Sequence, residues 1–252
     1  MMEIYNTILY QPLLNLLVFL YNTIPFHDIG LAIILLTVII RLILFPLSKQ
    51  SIKAQKSLAD LQPKMEEIKL KYKDDKEGMS KAMMQLYSEN KVNPFSSCLP
   101  LLIQFPLLIA VYQVFKNGLK SENLNMLYSF INNPGTINSM SLGFIDLAVP
   151  NIFLAVLAGV AQFIQVKMLP MQKPPVKTPG SKDESIMTSL NKNMTYMMPI
   201  MTVFIGMQLP SGLSLYWLLT TLLTILQQYL LFRKKDEINP VPPQITDPSL
   251  KA

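Results

Sequence analysis

The chain has 252 residues, half of them hydrophobic and only 15% charged, with a mean hydropathy of +0.32 and a formal net charge of +6. A soluble domain carries about 25% charged residues; here the charges fall in blocks between long uncharged runs, the pattern a bilayer imposes. One cysteine, Cys98, excludes an intrachain disulfide and a thiolate metal cluster, and the lysines lie in loops, where they set topology and meet anionic lipid heads rather than nucleic acid.

No Lys or Arg precedes Arg41, so neither the basic region of a cleavable signal nor an Arg-rich transit peptide is visible, and the mature chain is expected to be the whole chain. The stretch Glu3 to Ile24 is apolar but interrupted by Asn6, Gln11, Pro12, Asn15 and Asn22, with Leu9, Leu13, Leu16, Leu17 and Leu20 on one helical face. It reads as an amphipathic helix lying in the interface, the alternative being a sixth span. A crossing needs about 20 apolar residues. Ile29 to Leu47, Phe95 to Phe115, Val149 to Leu169, Met194 to Leu209 and Leu213 to Phe232 are the candidate spans.

The expected division is an extracytoplasmic helix (1–27), a first span (28–49), a cytoplasmic helical hairpin (50–93), a second span (94–116), an extracytoplasmic loop (117–148), a third span (149–169), a cytoplasmic linker (170–193), fourth and fifth spans (194–209 and 210–232) and a cytoplasmic tail (233–252). With five spans, nineteen Lys and Arg residues fall on one side and two, Lys116 and Lys120, on the other. The positive-inside rule then puts the N-terminus outside and the C-terminus in the cytoplasm. In the first cytoplasmic segment Leu58, Leu61, Met65, Ile68 and Tyr72 step by three and four, as do Met79, Met83 and Leu86, with Asp74, Asp75 and Gly78 between the runs. That spacing predicts two antiparallel helices meeting on an apolar seam. Pro174-Pro175 and Pro179-Gly180 mark a flexible linker, and the residues after Asp236 read as a polar tail.

Catalytic signatures are missing: the chain contains no HExxH, P-loop, GxSxG or CxxC, and none of the five apolar runs from Ile29 onward holds an acid or a histidine. His27, at the edge of the first span, reads as an interfacial residue and Cys98 as a packing residue. Arg41 is the outlier, because a charge inside the membrane is expensive unless hydrated or paired. Counted from Leu47 it lies about 9 Å from the inner end of its helix. Either it snorkels to the cytoplasmic headgroups or it faces a wet cavity open to the cytoplasm. Thr37 lies one turn earlier on the same face, and Gln104, Gln113, Gln162, Gln165, Thr202, Thr220, Thr224, Gln227 and Gln228 populate the other spans. Taken singly these are ordinary helix–helix hydrogen bonds; together with an unpaired Arg they favour a hydrophilic chamber.

Several motifs in order carry a resemblance. Thr37-Val38-Ile39-Ile40-Arg41 is followed by Phe45-Pro46-Leu47, then Leu61-Gln62-Pro63-Lys64. Lys91-Val92-Asn93-Pro94-Phe95 precedes Cys98-Leu99-Pro100-Leu101-Leu102-Ile103-Gln104-Phe105-Pro106. Pro210-Ser211-Gly212-Leu213-Ser214-Leu215-Tyr216-Trp217 opens the last span, which closes on Gln227-Gln228. Over nearly all of Leu9 to Lys234 the sequence resembles the YidC/Oxa membrane protein insertases.

The resemblance implies an all-α membrane protein of five spans with a cytoplasmic helical hairpin. It also implies a groove inside one leaflet, open to cytoplasm and lipid and closed outside. Arg41 would make the groove positive, with Thr37, Gln104 and Gln227 as polar lining. A substrate helix would pass into lipid along Phe105, Pro106, Leu107, Tyr216 and Trp217. The implied partners are nascent membrane proteins and the lipid bilayer of a bacterial plasma membrane, with the Sec translocon and the ribosome as further candidates; no cofactor and no nucleic acid are implied. The short, weakly basic tail argues against ribosome binding through it, and Trp217 stands where well-known relatives hold Tyr. The competing class is a small channel or transporter with an Arg-lined polar cavity, which would predict inverted repeats; none is found.

Overall fold

The computed structural model describes residues 2–73, 75–93, 99–118, 126–168 and 196–236. Cys98, the first residues of the expected second span, the expected linker and the tail beyond Asp236 lie outside the described residues. Helix α1 (Met2–Tyr5) continues through a π-helical turn (Asn6–Tyr10) into α2 (Gln11–Thr23). A Pro25-Phe26-His27 turn leads to α3 (Ile29–Ile43), α4 (Phe45–Asp60), α5 (Gln62–Lys71) and α6 (Lys76–Glu89). Then follow α7 (Leu99–Gln113), a two-stranded antiparallel ribbon of β1 (Met140–Ser141) and β2 (Ile145–Asp146), α8 (Ile152–Met168), α9 (Tyr196–Gly206) and α10 (Ser211–Asp236).

This is an all-α membrane protein. Glu3–Thr23 and Ser211–Phe232 are each long and apolar enough to cross a bilayer, and α3 with α4 would make a third span, bent by 66°. α8 and α9 are apolar but shorter. The bend falls at Leu44, immediately before Phe45-Pro46. Proline lacks an N–H and disfavours helical backbone in the residue before it, so the chain restarts with Pro46 in the first turn of α4, where a missing donor is harmless. The apolar run expected to reach Leu47 as one helix therefore ends at Ile43, and α3 is about 22 Å long.

One buried cluster joins α2, α3, α7 and the first half of α10. Leu14, Leu17 and Val18 meet Ile29, Ile33 and Leu36, with Ala110 and Val111 of α7, Val114 just after it, and Leu213 and Tyr216 of α10. α8 closes on α9 through small residues. A Cβ at Gly159 would overlap Val203, and one at Gly206 would stand 2.9 Å from Ala155 Cβ. Within that contact Thr202 donates to Gln162, the helix–helix bond that each polar residue taken singly predicts. Lys56 of α4 stands 5.4 Å from the ring centre of Phe232, near the end of α10.

The segment 126–151 organises the opposite end. Asn151 Oδ1 accepts the N–H groups of Phe153 and Leu154 and so caps α8. The carbonyls of Val149 and Leu147 accept from Ser211 and Gly212, the first N–H groups of α10. Asp28 caps α3 through Leu31 N–H at 3.0 Å, and the same carboxylate accepts from Ser141 Oγ and Leu142 N–H of the ribbon. Three helix starts, each with unpaired donors, are thus gathered by one loop. The loop also runs along α2: Gln11 and Asn15 donate to Met126 O, Tyr128 N–H donates to Asn15, Asn22 donates to Asn132 O, and Asn138 N–H donates to Tyr21 Oη.

α5 and α6 pack on each other, with Asp75 capping α6 through Gly78 N–H at 2.9 Å and Tyr87 Oη 3.7 Å from Met65 Sδ. Leu61 and Leu86 are buried, while Leu70 and Met84 are exposed. So thin a seam between helices of 10 and 14 residues is marginal alone. Backbone amides of α5 and α6 are therefore expected to exchange hydrogen faster than those of residues 214–226 in α10. Equal protection in the two regions would contradict the weak-seam account.

Candidate functional site: a cation between α3 and α10

Arg41 is in the last turn of α3, two residues before the helix ends. One of its terminal nitrogens donates to Thr220 O at 2.8 Å and to Thr224 Oγ1 at 2.6 Å. Thr224 Oγ1 itself donates to Thr220 O at 2.8 Å. The guanidinium is therefore turned onto the middle of α10. It is partly buried, and no carboxylate among the described residues pairs with it. A guanidinium carries five N–H donors, so most of its hydrogen-bonding capacity remains after the two bonds to α10.

Thr220, Thr224 and Gln228 recur every fourth residue on α10, with Gln227 beside the last, and so make a polar stripe. Thr220 Oγ1, Gln227 Oε1 and Gln228 Oε1 are buried without a hydrogen-bond partner among the described residues. Buried acceptors of this kind are normally paired, often with ordered water. Gln228, at 2% exposure, is the more deeply buried of the two glutamines, although Gln227 is the one expected from sequence.

The other expected residues divide. Thr37 is fully buried, and its hydroxyl donates back to Ile33 O at 2.7 Å within its own helix. Gln104 donates to Tyr216 Oη at 3.1 Å and ties α7 to α10. Tyr216 and Leu107 are buried in the core, whereas Phe105 and Pro106 are exposed on α7 and Trp217 is half-buried on α10. A cavity of about 500 Å³ lies elsewhere, lined by Tyr21, Asn22, Phe26, His27 and the loop residues Pro134, Thr136, Ile137 and Asn138. It shares no residue with the Arg41 region.

Two features went unread in the sequence. The pairing of Arg41 with Thr220 and Thr224 depends on the relative height of two helices 179 and 183 residues apart in the chain. Asp28 had a readable signal, an acid standing directly before an apolar run, which is an N-cap pattern; its bonds to Ser141 and Leu142 had none.

Arg41 is thus a cation held against a polar helix stripe in an all-α membrane protein, and no group of metal-ligating side chains occurs among the described residues. Comparison with known proteins sharpens that class. The 60Kd inner membrane protein family matches residues 1–238. The chain is 35% identical over 228 residues to the membrane protein insertase YidC of Fusobacterium nucleatum, covering 90% of this chain and 98% of that one. It is 36% identical to the YidC of Geobacter sulfurreducens over 225 residues, and 36% identical to that of Pelobacter propionicus over 224. These alignments cover 88% of this chain but only 37% and 38% of the two longer proteins. The chain belongs to the YidC/Oxa family of membrane protein insertases, whose members are not enzymes.

Proposed function

We propose that this chain inserts membrane proteins into a bacterial plasma membrane and helps them fold, alone or together with the Sec translocon. The observation that carries the reading is Arg41, a cation without an acidic partner among the described residues, bonded to the polar stripe of α10. The three buried acceptors on that stripe support a hydrated groove. An acidic or polar tail of a nascent membrane protein would enter the groove from the cytoplasm, drawn by the field of the guanidinium. Its apolar span would pass into lipid beside Trp217, Phe105 and Pro106. Burial of that span in hydrocarbon drives the step, so no nucleotide is needed.

The proposed topology has five spans, with the N-terminus outside and the α5–α6 hairpin in the cytoplasm. The loop along α2 supports an interfacial placement of that helix over a sixth span. Irregular backbone facing lipid does not occur inside the hydrocarbon, yet segment 126–138 is bonded to α2 from Gln11 to Asn22 and carries exposed residues throughout. Exposed Ile4, Ile8 and Phe19 supply an apolar face to lie on the membrane.

Reconstitution tests the function. Purified protein in vesicles should render a single-spanning substrate protease-protected without nucleotide, and a photocrosslinker at position 217 should trap the substrate's apolar span. Protection equal to that of protein-free vesicles would sink the reading.

A further inference from the structure

The outer loop and the α2–α3 corner present apolar side chains on backbone that disfavours them. Phe26 has φ +66° and is 97% exposed; Leu142 has φ +52° and is 63% exposed. Left-handed backbone is uncommon for residues other than glycine, and a water-facing turn fills such positions with Gly, Asn or Asp. Here Gly135 and Gly143, at φ +73° and +80°, and His27, at φ +50°, take the other left-handed positions of the loop and the corner, with Gly143 between Leu142 and the exposed Phe144. The two sites are held together, because Asp28, two residues after Phe26, accepts the Leu142 N–H.

The surroundings have the charge expected of a lipid-facing rim. Segment 126–151 contains no Lys or Arg, and its one acid, Asp146, accepts locally from Ala148 N–H at 2.9 Å. Apolar exposure recurs at Val149, Ile152 and Phe153 and along α8 at Val156, Val160 and Ile164. Exposed apolar patches of this kind mark contacts with a membrane or a partner, and the absence of Lys and Arg around this one favours the membrane.

We propose that Phe26, Leu142 and Phe144 form a wedge that inserts into the headgroup–acyl boundary of the outer leaflet. The proposal rests on the topology given above, which places this loop outside. The wedge has a mechanical role. Asp28 joins it to the first turn of α3, and Arg41 lies thirteen residues further along that helix, about 20 Å away. The depth at which the wedge floats therefore fixes the depth of the cation in the membrane.

Nitroxide labels test this on the full chain in vesicles of phosphatidylcholine and phosphatidylglycerol. In a Cys98→Ser background, labels would be attached at Phe144→Cys, Phe26→Cys and, as the water-facing control, Thr136→Cys. Relaxation by oxygen, which partitions into lipid, should exceed relaxation by a water-soluble nickel chelate several-fold at positions 144 and 26, with the order reversed at 136. Chelate-dominated relaxation at both 144 and 26 would overturn the wedge and leave the topology intact. That would also be the outcome if the patch instead received a soluble partner. Sidedness is read separately by an impermeant maleimide added to intact cells carrying Thr136→Cys. If that cysteine reacts only after the cytoplasmic face is opened, the outer placement and the wedge in the outer leaflet both fall.

Discussion

Arg41→Ala is expected to slow insertion of substrates with acidic tails by on the order of 10- to 100-fold. At an effective dielectric constant of about 20, a carboxylate about 5 Å from the guanidinium gains roughly 3 kcal/mol, at most about 150-fold, and water around the pair reduces this to the stated range. The fold should survive, because Thr224 Oγ1 continues to donate to Thr220 O when the guanidinium is gone. Arg41→Lys should retain most of the rate, since in the proposed function the cation acts by its field and not by a forked pair with one carboxylate. Initial insertion rates for matched substrates whose tails carry Asp or Asn distinguish the causes. The Ala variant should lose its preference for the Asp tail. Equal rates for both tails in wild type and variant would show that the cation holds the helices together and does nothing to the substrate.

The second large effect is expected at the Asp28 clasp. Asp28→Ala removes the α3 cap, which costs about 0.5–2 kcal/mol, and leaves the Ser141 hydroxyl and the Leu142 N–H without their acceptor, about 1–3 kcal/mol more when such groups are buried. The midpoint of thermal unfolding in detergent should fall by on the order of 5–10 °C. Gly30→Val should act on the same contact from the other side, because a Cβ at Gly30 would overlap Ser141 Oγ and push the ribbon from α3. Hydrogen exchange over residues 139–147 should accelerate in both variants, while α5 and α6 remain unchanged. Wild-type protection of the ribbon in Asp28→Ala would mean that Leu147 and Val149, through their bonds to α10, are enough to hold it.

What could be read in the sequence had local causes. The cation in an apolar run identified Arg41, and the three-and-four spacing of Leu61, Met65, Ile68, Met79, Met83 and Leu86 outlined two packed helices. Pro46 also announced the break in the first apolar run, but hydropathy continues unchanged through Leu47 and masks it. What could not be read depended on register between distant segments. Gln11, Asn15 and Asn22 stood out as polar residues on an apolar helix, yet the loop they bind begins more than a hundred residues later. The resemblance put Leu107 and Tyr216 on the path of a substrate helix together with Phe105, Pro106 and Trp217, yet both are buried in the core.

That distance between α2 and its loop has a consequence for how the protein is made. The bonds from Gln11, Asn15, Tyr21 and Asn22 close over separations of 110 to 117 residues. At about 5–20 residues per second, the ribosome needs roughly 5–20 s to supply the missing strip. Through that interval an apolar helix of 21 residues has left the ribosome without its partners. On the proposed topology it also has to reach the far side of the membrane. Its hydropathy, high enough to cross a bilayer, suits a segment that must dwell in lipid before it can settle on the surface. Until the strip arrives, the newborn chain holds an apolar helix whose polar face has no partner from the loop.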